Sequence, residues 1–362
     1  MGSKYRFRSL NKYLNPINES LLAGAIGLAI GAIIMVGLGY SPLDAYSSLL
    51  RGSFGSVYSW AESLANATPL ILTALTFAIA MRGGLFNIGA EGQLYIGAIA
   101  AVSVSLIQIS APFHLIIALV AAMTAGALWS LPVAILKLTR GVHEVISTIM
   151  LNWIARFFAF YMIANVLMDP VRGEKTISIA ETSRFARILP GSSLNYGIVV
   201  SALAALLILF LLWRTTAGFE LRAAGHSQES SNYAGISYKK QVLRAFLLGG
   251  VLAGLAGAVQ VMGRPPTYAL ISGLPQMIDL GFDGIAVAMI GRNHPVGIIF
   301  AAIFFGGLMV GGRMMQMSAG VPLELVRIVE GAIILALAVP ELKRIFYVVR
   351  KKFARKEQRG GN

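Results

Sequence analysis

Three stretches of this chain carry polar side chains inside otherwise apolar surroundings. The first is Met81–Gln93 (MRGGLFNIGAEGQ), where Asn87, Glu91 and Gln93 sit among Gly83, Gly84, Gly89 and Gly92. Apolar runs flank it on both sides. An ionisable side chain at membrane depth is costly unless it faces a cavity or a partner. Glycines there let a helix break, and a broken helix offers free backbone donors and acceptors to a polar solute. The plainer reading is a turn with glycines for close packing. The second stretch, Gly281–Gly291 (GFDGIAVAMIG), repeats the theme with Asp283 as its single acid. The third is a stripe of Glu144, Thr148, Asn152 and Arg156, each four residues from the last and so on one helix face. A polar face on a membrane helix must turn toward protein or water. It either lines a path or binds one helix to another, with Glu144 or Arg156 paired to a neighbour. The chemistry these segments offer is hydrogen bonding to a polar solute. Arg327 and Glu330, at i and i+3, read as a local salt bridge.

These groups need elements to position them, and composition says which. The 362 residues are 56% hydrophobic and 13% charged, with mean hydropathy +0.72. A soluble domain usually carries about 25% charge. A globule of this size cannot hide so much apolar surface, so a bilayer is the solvent. Apolar stretches of roughly 20 residues predict ten spans, near 20–40, 65–82, 87–109, 112–136, 143–168, 194–213, 241–262, 281–291, 295–317 and 322–342. The run Leu21–Gly39 is too long for a signal-peptide core and reads as the first membrane helix.

The net charge is +14. Basic residues cluster between spans and in the tails, without aromatic interleaving, which fits the positive-inside rule and anionic lipid rather than nucleic acid. Placing both termini in the cytoplasm puts most Lys and Arg inside. The expected organisation is a cytoplasmic tail over 1–19, a transmembrane domain over 20–342 and a basic cytoplasmic tail over 343–362. Residues 42–64, with Leu43, Tyr46, Leu50, Phe54, Val57 and Trp60 at helical spacing, predict a helix on the outer interface. Residues 169–192 form a polar outer loop. Residues 214–240 form the longest polar cytoplasmic segment, with a helical core near 227–234, an N-cap signal at His226–Glu229 and a stop at Gly235.

Several chemistries are absent. With no cysteine there is no disulfide, thiolate metal site or cysteine nucleophile. No lysine follows a glycine, so the chain has no Walker A phosphate loop, and G-x-S-x-G and H-E-x-x-H are missing too. No catalytic set and no metal site are predicted.

Taken together, RGGLFNIGAEGQ, GFELRAAGHSQESSNYAGI and GFDGIAVAMIGRNHPVG resemble the branched-chain and simple-sugar group of ABC-importer permeases, most of all its nucleoside-importer members. The resemblance runs over residues 20–342. It implies an all-α fold of about ten transmembrane helices in two inverted halves. It implies a path lined by Phe86, Asn87, Glu91, Gln93, Glu144, Thr148, Asn152 and Asp283. It also implies a cytoplasmic coupling helix with Glu220, Arg222, Gly225, His226, Asn232 and Gly235 at or beside the contact with an ATPase. The partners implied are that ABC ATPase, carrying ATP and Mg, a second non-identical permease, and an extracellular substrate-binding lipoprotein. No cofactor is expected on this chain. His226-Ser227-Gln228 departs from the usual turn of the coupling loop, and Arg292-Asn293-His294 replaces the small residues common in sugar permeases, which favours nucleosides. The rival readings are a simple-sugar permease and an ion-coupled secondary transporter.

Overall fold

The computed structural model describes residues 25, 27–111, 113–322, 324–329 and 331–332. The chain divides into two compact units, one spanning residues 53–310 and one made of the described residues on either side of it. The helices, in order, are α1 (Gly27–Gly37), α2 (Pro42–Phe54), α3 (Val57–Arg82), α4 (Ala90–Ser105), α5 (Phe113–Arg140), α6 (Glu144–Tyr161), α7 (Gly197–Arg214), α8 (Thr216–His226), α9 (Gln228–Tyr233), α10 (Tyr238–Met262), α11 (Leu280–Ile290) and α12 (Pro295–Ala319). α6 runs on through a π turn to Val166. Among the described residues the only β pairing is isolated bridges.

Each expected span meets a helix, except that most of the tenth lies outside the described residues, as does Glu330. Among the described residues, six helices are long and apolar enough to cross a membrane: α3, α5, α6 with its π turn, α7, α10 and α12. α1 and α11 are shorter apolar helices, and α4 is 16 residues long.

The expected interfacial helix over 42–64 is two elements. α2 ends at Phe54, and Ser56 caps a new helix, its Oγ accepting from Ser59 N at 3.0 Å. Residues 57–64 therefore begin α3. Serines and threonines in the polar connections start other helices in the same way. Thr215 caps α8, Ser227 caps α9 and Ser237 caps α10.

Burial separates the inner helices of the 53–310 unit from the outer ones. The apolar window of α3 is 89% buried and that of α10 is 72% buried, whereas α5 shows 28% and α6 33%. α5, α6 and α7 turn large side chains such as Ile116, Trp153 and Leu207 outward, as helices facing lipid or a partner must. Small residues let the inner helices approach closely. Gly250 and Gly254 of α10 meet Gly126 of α5, and Gly254 meets Gly97 of α4, the packing that serves where no hydrophobic effect drives association. The loop before α7 pairs with the segment after α10, through Thr176 N to Leu270 O at 2.9 Å and Ile179 N to Tyr268 O at 2.8 Å.

In the other unit, Tyr46 Oη of α2 donates to Leu28 O of α1 at 2.6 Å.

Candidate functional site

The segment joining α3 to α4 is a true helix break. Gly83 closes α3, Gly84 takes φ +73°, and α4 resumes at Ala90. α6 supplies the polar groups that hold the break in place. Glu144 Oε1 accepts from Phe86 N at 3.2 Å while its Oε2 accepts from Lys137 Nζ at 2.7 Å. Asn152 Nδ2 donates to Ile88 O at 3.0 Å, and its Oδ1 accepts from Gly92 N at 2.9 Å. That second bond satisfies one of the amides left unpaired at the start of α4. Thr148 spends its hydroxyl on its own helix, on Glu144 O at 2.8 Å. Its methyl lies beside Gly89. Arg156 stays on α6, its guanidinium over the Trp153 and Phe160 rings. In this arrangement Glu144 and Asn152 both bond backbone atoms between Phe86 and Gly92.

The two glycine-rich segments meet. Glu91, buried on the first turn of α4, accepts from Asp279 N at 2.9 Å and Gly281 N at 2.6 Å, at the start of α11. Tyr95, one turn further along α4, donates its hydroxyl to the same carboxylate. An acidic side chain across a helix N-terminus satisfies orphan amides and complements the dipole. The approach is close enough that a Cβ on Gly281 would strike the Glu91 backbone. Asp283 stands in the first turn of α11, half-buried. Phe86 remains 37% exposed and packs edge-on to Phe77, ring centroids 4.9 Å apart.

Hydrogen-bonding capacity is left over at this centre. Asn87 Oδ1 accepts from Gly89 N at 2.8 Å, but its buried Nδ2 has no partner. Gln93 Oε1 is likewise buried and unpartnered. One free donor and one free acceptor thus lie within the same broken segment, shut away from solvent in this conformation. Unmet polar groups at such depth are rare and carry a cost.

The 214–240 segment folds as α8 and α9, separated at Ser227. Ser227 Oγ accepts from Ser230 N at 3.2 Å and starts α9, and Gly235 ends the segment with φ +79°. Sequence reasoning found the cap and the stop but not α8. Glu220 accepts from Gln241 Nε2 at 3.0 Å and from Arg244 Nη1, bracing α8 against α10. The Arg244 hydrogen bond, then that of Gln241, holds the Glu220 carboxyl below its ordinary range. Gly225 faces the break: a Cβ there would fall on Arg82 O and Gly84 N. His226 and Asn232 are exposed. Arg222 stands over Trp213, as does Arg82 at the end of α3.

Sequence reasoning missed Tyr95, Lys137, Trp213 and Arg244. Tyr95 carried a signal, one helical turn from Glu91. Arg244, 24 residues from Glu220, carried none.

Residues 59–338 match the family described as branched-chain amino acid transport system / permease component. The chain belongs to this permease family. Among curated relatives, the guanosine ABC transporter permease protein NupP of Bacillus subtilis is 42% identical over 97% of this chain and 99% of its own length. The nucleoside ABC transporter permease protein NupB of Lactococcus lactis is 38% identical over 91% of this chain and 93% of its own. A glucose ABC transporter permease protein of Haloferax volcanii is 32% identical over 89% and 87%. This permease is thus a multi-pass membrane transport component rather than an enzyme, and ATP hydrolysis in its family belongs to a separate subunit.

Proposed function

We propose that this permease forms the path by which an ATP-driven importer of the cell membrane carries nucleosides inward. The observation that carries the reading is the full-length likeness to the guanosine permease. The geometry agrees with it. Nucleosides are neutral and rich in hydroxyl and amide-like groups, and the broken segment holds an unpartnered amide donor on Asn87 and acceptor on Gln93. Phe86 at its edge offers a ring face to a base.

In this reading the tails at 1–19 and 343–362 and the α8–α9 segment face the cytoplasm. The 20–342 region is the permease domain, and the 42–64 and 169–192 segments face outward toward a binding lipoprotein. A second, non-identical permease completes the pathway. ATP and Mg reside on the partner ATPase. Closure of the ATPases pushes α8 and α9. Gly225, seated on Gly84, passes the push to the break, and Glu91 passes it to α11. Two arrangements of this packed core, biased by the partner, give alternating access. Asn87 and Gln93 are buried here, so solute reaches them only in the other arrangement.

The test is uptake of radiolabelled guanosine by proteoliposomes holding the whole complex with ATP on the ATPase side. ATP-dependent uptake, competed by other nucleosides but not by glucose, is expected. Competition by glucose alone would move the reading to sugars, the substrate class named for one relative. Uptake by this chain alone under an ion gradient would sink the importer reading.

A further inference from the structure

A second polar cluster lies at the α3 edge of the break, where α3, α7 and α8 meet. Trp213 is its hub. The Arg82 guanidinium lies 5.3 Å from the indole centroid and that of Arg222 5.8 Å. His294 packs against the same ring at 4.8 Å, its imidazole pushed below its ordinary range by burial and by the Arg82 charge. The two permanent cations therefore share one aromatic platform beside a neutral histidine. Arg82 is anchored, donating from Nε to Asn293 O at 3.1 Å and from Nη2 to Arg292 O at 3.2 Å. Arg222 is not: its Nε is shielded from solvent and has no hydrogen-bond partner. No carboxylate among the described residues pairs with either arginine.

Both guanidiniums open onto a cavity of about 350 Å³ that Phe219, Gly225 and His226 also line. Two like charges held together, with fork-shaped donors unspent, make a site whose missing component is an anion. Planar guanidinium recognises carboxylate or phosphate. The surroundings select between them. Phe219 is 61% exposed at the lip. An exposed aromatic beside arginine is the composition of protein interfaces.

We propose that the Arg82–Arg222 cavity is a socket for an acidic side chain of the ATPase subunit. This rests on the reading of α8 and α9 as the coupling segment. The carboxylate enters beside Phe219, takes the free Arg222 donors, and relieves the repulsion between the two arginines. Because Arg82 ends α3 at the break, the socket ties the partner's acid to the element that opens the path.

The test measures the Kd of the purified ATPase subunit for the permease assembly in nanodiscs, across a salt series, in phosphatidylcholine alone and with phosphatidylglycerol added. Arg222→Gln is expected to weaken binding at least tenfold in both lipids and to flatten the salt dependence. Arg222→Lys, which keeps the charge and the stem but not the fork, is expected to fall between, so the result does not hang on whether Arg222→Gln folds. Phe219→Ala is the control for docking on α8. Loss with Phe219→Ala but none with Arg222→Gln leaves the docking segment standing and overturns the socket. An Arg222→Gln effect confined to the phosphatidylglycerol discs assigns the cavity to a lipid headgroup and also overturns it. No loss with either variant removes the coupling reading itself.

Discussion

Glu91 Oε2 accepts the Gly281 amide at 2.6 Å, joining residues 190 positions apart in the chain. Through this bond the glycine-rich break after α3 and the glycine-rich start of α11 act as one unit. Glu91 is not a bare charge in an open channel: it is spent on two backbone amides and a tyrosine hydroxyl. Its role in this conformation is to position α11.

Removing that carboxylate strands the groups it serves. Glu91→Ala leaves the Asp279 and Gly281 amides and the Tyr95 hydroxyl without their acceptor, at a cost of about 2–5 kcal/mol for the set. Glu91→Gln keeps one acceptor oxygen and costs less. The melting temperature in detergent, followed by tryptophan fluorescence, checks the order wild type, Gln, Ala. An alanine variant as stable as wild type would show that the clamp carries no weight.

Asn152 and Thr148 lie on one face of α6, yet their substitutions are expected to differ. Asn152→Ala removes the partners of Gly92 N and Ile88 O and destabilises by about 2–4 kcal/mol. Thr148→Val exchanges a hydroxyl bonded to carbonyls of its own helix for a methyl, with an effect within about 1 kcal/mol. Denaturant melts of the two purified variants decide it, and equal losses would contradict the assignment of Asn152 as the bond to the break.

The spans were legible because the length of an apolar run is a property of the sequence alone. The start of α3 was not. Glu62 and Asn66 make its first turns look polar, but Glu62 accepts from Ser193 N at 2.6 Å and Asn66 from Arg264 Nη2 at 2.8 Å. Partners more than a hundred residues away satisfy them, and no local pattern announces that. α8 carries two glycines that are contact points, Gly218 on the Leu211 and Leu212 backbone and Gly225 on Gly84, and no local pattern announces those contacts. Which side chains keep an unpartnered atom, Asn87 at Nδ2 and Gln93 at Oε1, and which are spent, Glu91, Glu144 and Asn152, is fixed only by tertiary neighbours.

The brace of α8 is expected to respond to acid. Glu220 ordinarily titrates near 4.5, and the hydrogen bonds of Arg244 and Gln241 lower it. A carboxyl whose pKa falls on folding adds stability that is complete above its ordinary value and lost as pH drops through the lowered one. Protection of α8 amides, corrected for intrinsic exchange, should therefore be flat from about pH 8 to 5 and decline below about pH 4. The Glu220→Gln variant should lack that decline. A loss of protection already at neutral pH would place the titrating group elsewhere.

Gly225 offers the sharpest test of how movement reaches the break. An alanine there sets its methyl against Arg82 O and Gly84 N, backbone atoms that cannot rotate away, so α8 must lift from the break or Gly84 must shift. Either change loosens the link between the ATPase-facing segment and the path. Gly225→Ala is expected to lower ATP-driven uptake in proteoliposomes at least tenfold while the ATPase subunit still co-purifies and still binds nucleotide. Gly141→Ala, in the turn between α5 and α6, is the contrast. Its φ of +65° meets no neighbour, so it costs about 1–2 kcal/mol of local strain and should leave uptake within twofold. If the two variants transport alike, the Gly225–Gly84 contact is packing only, and the push from the partner must enter the permease by another route.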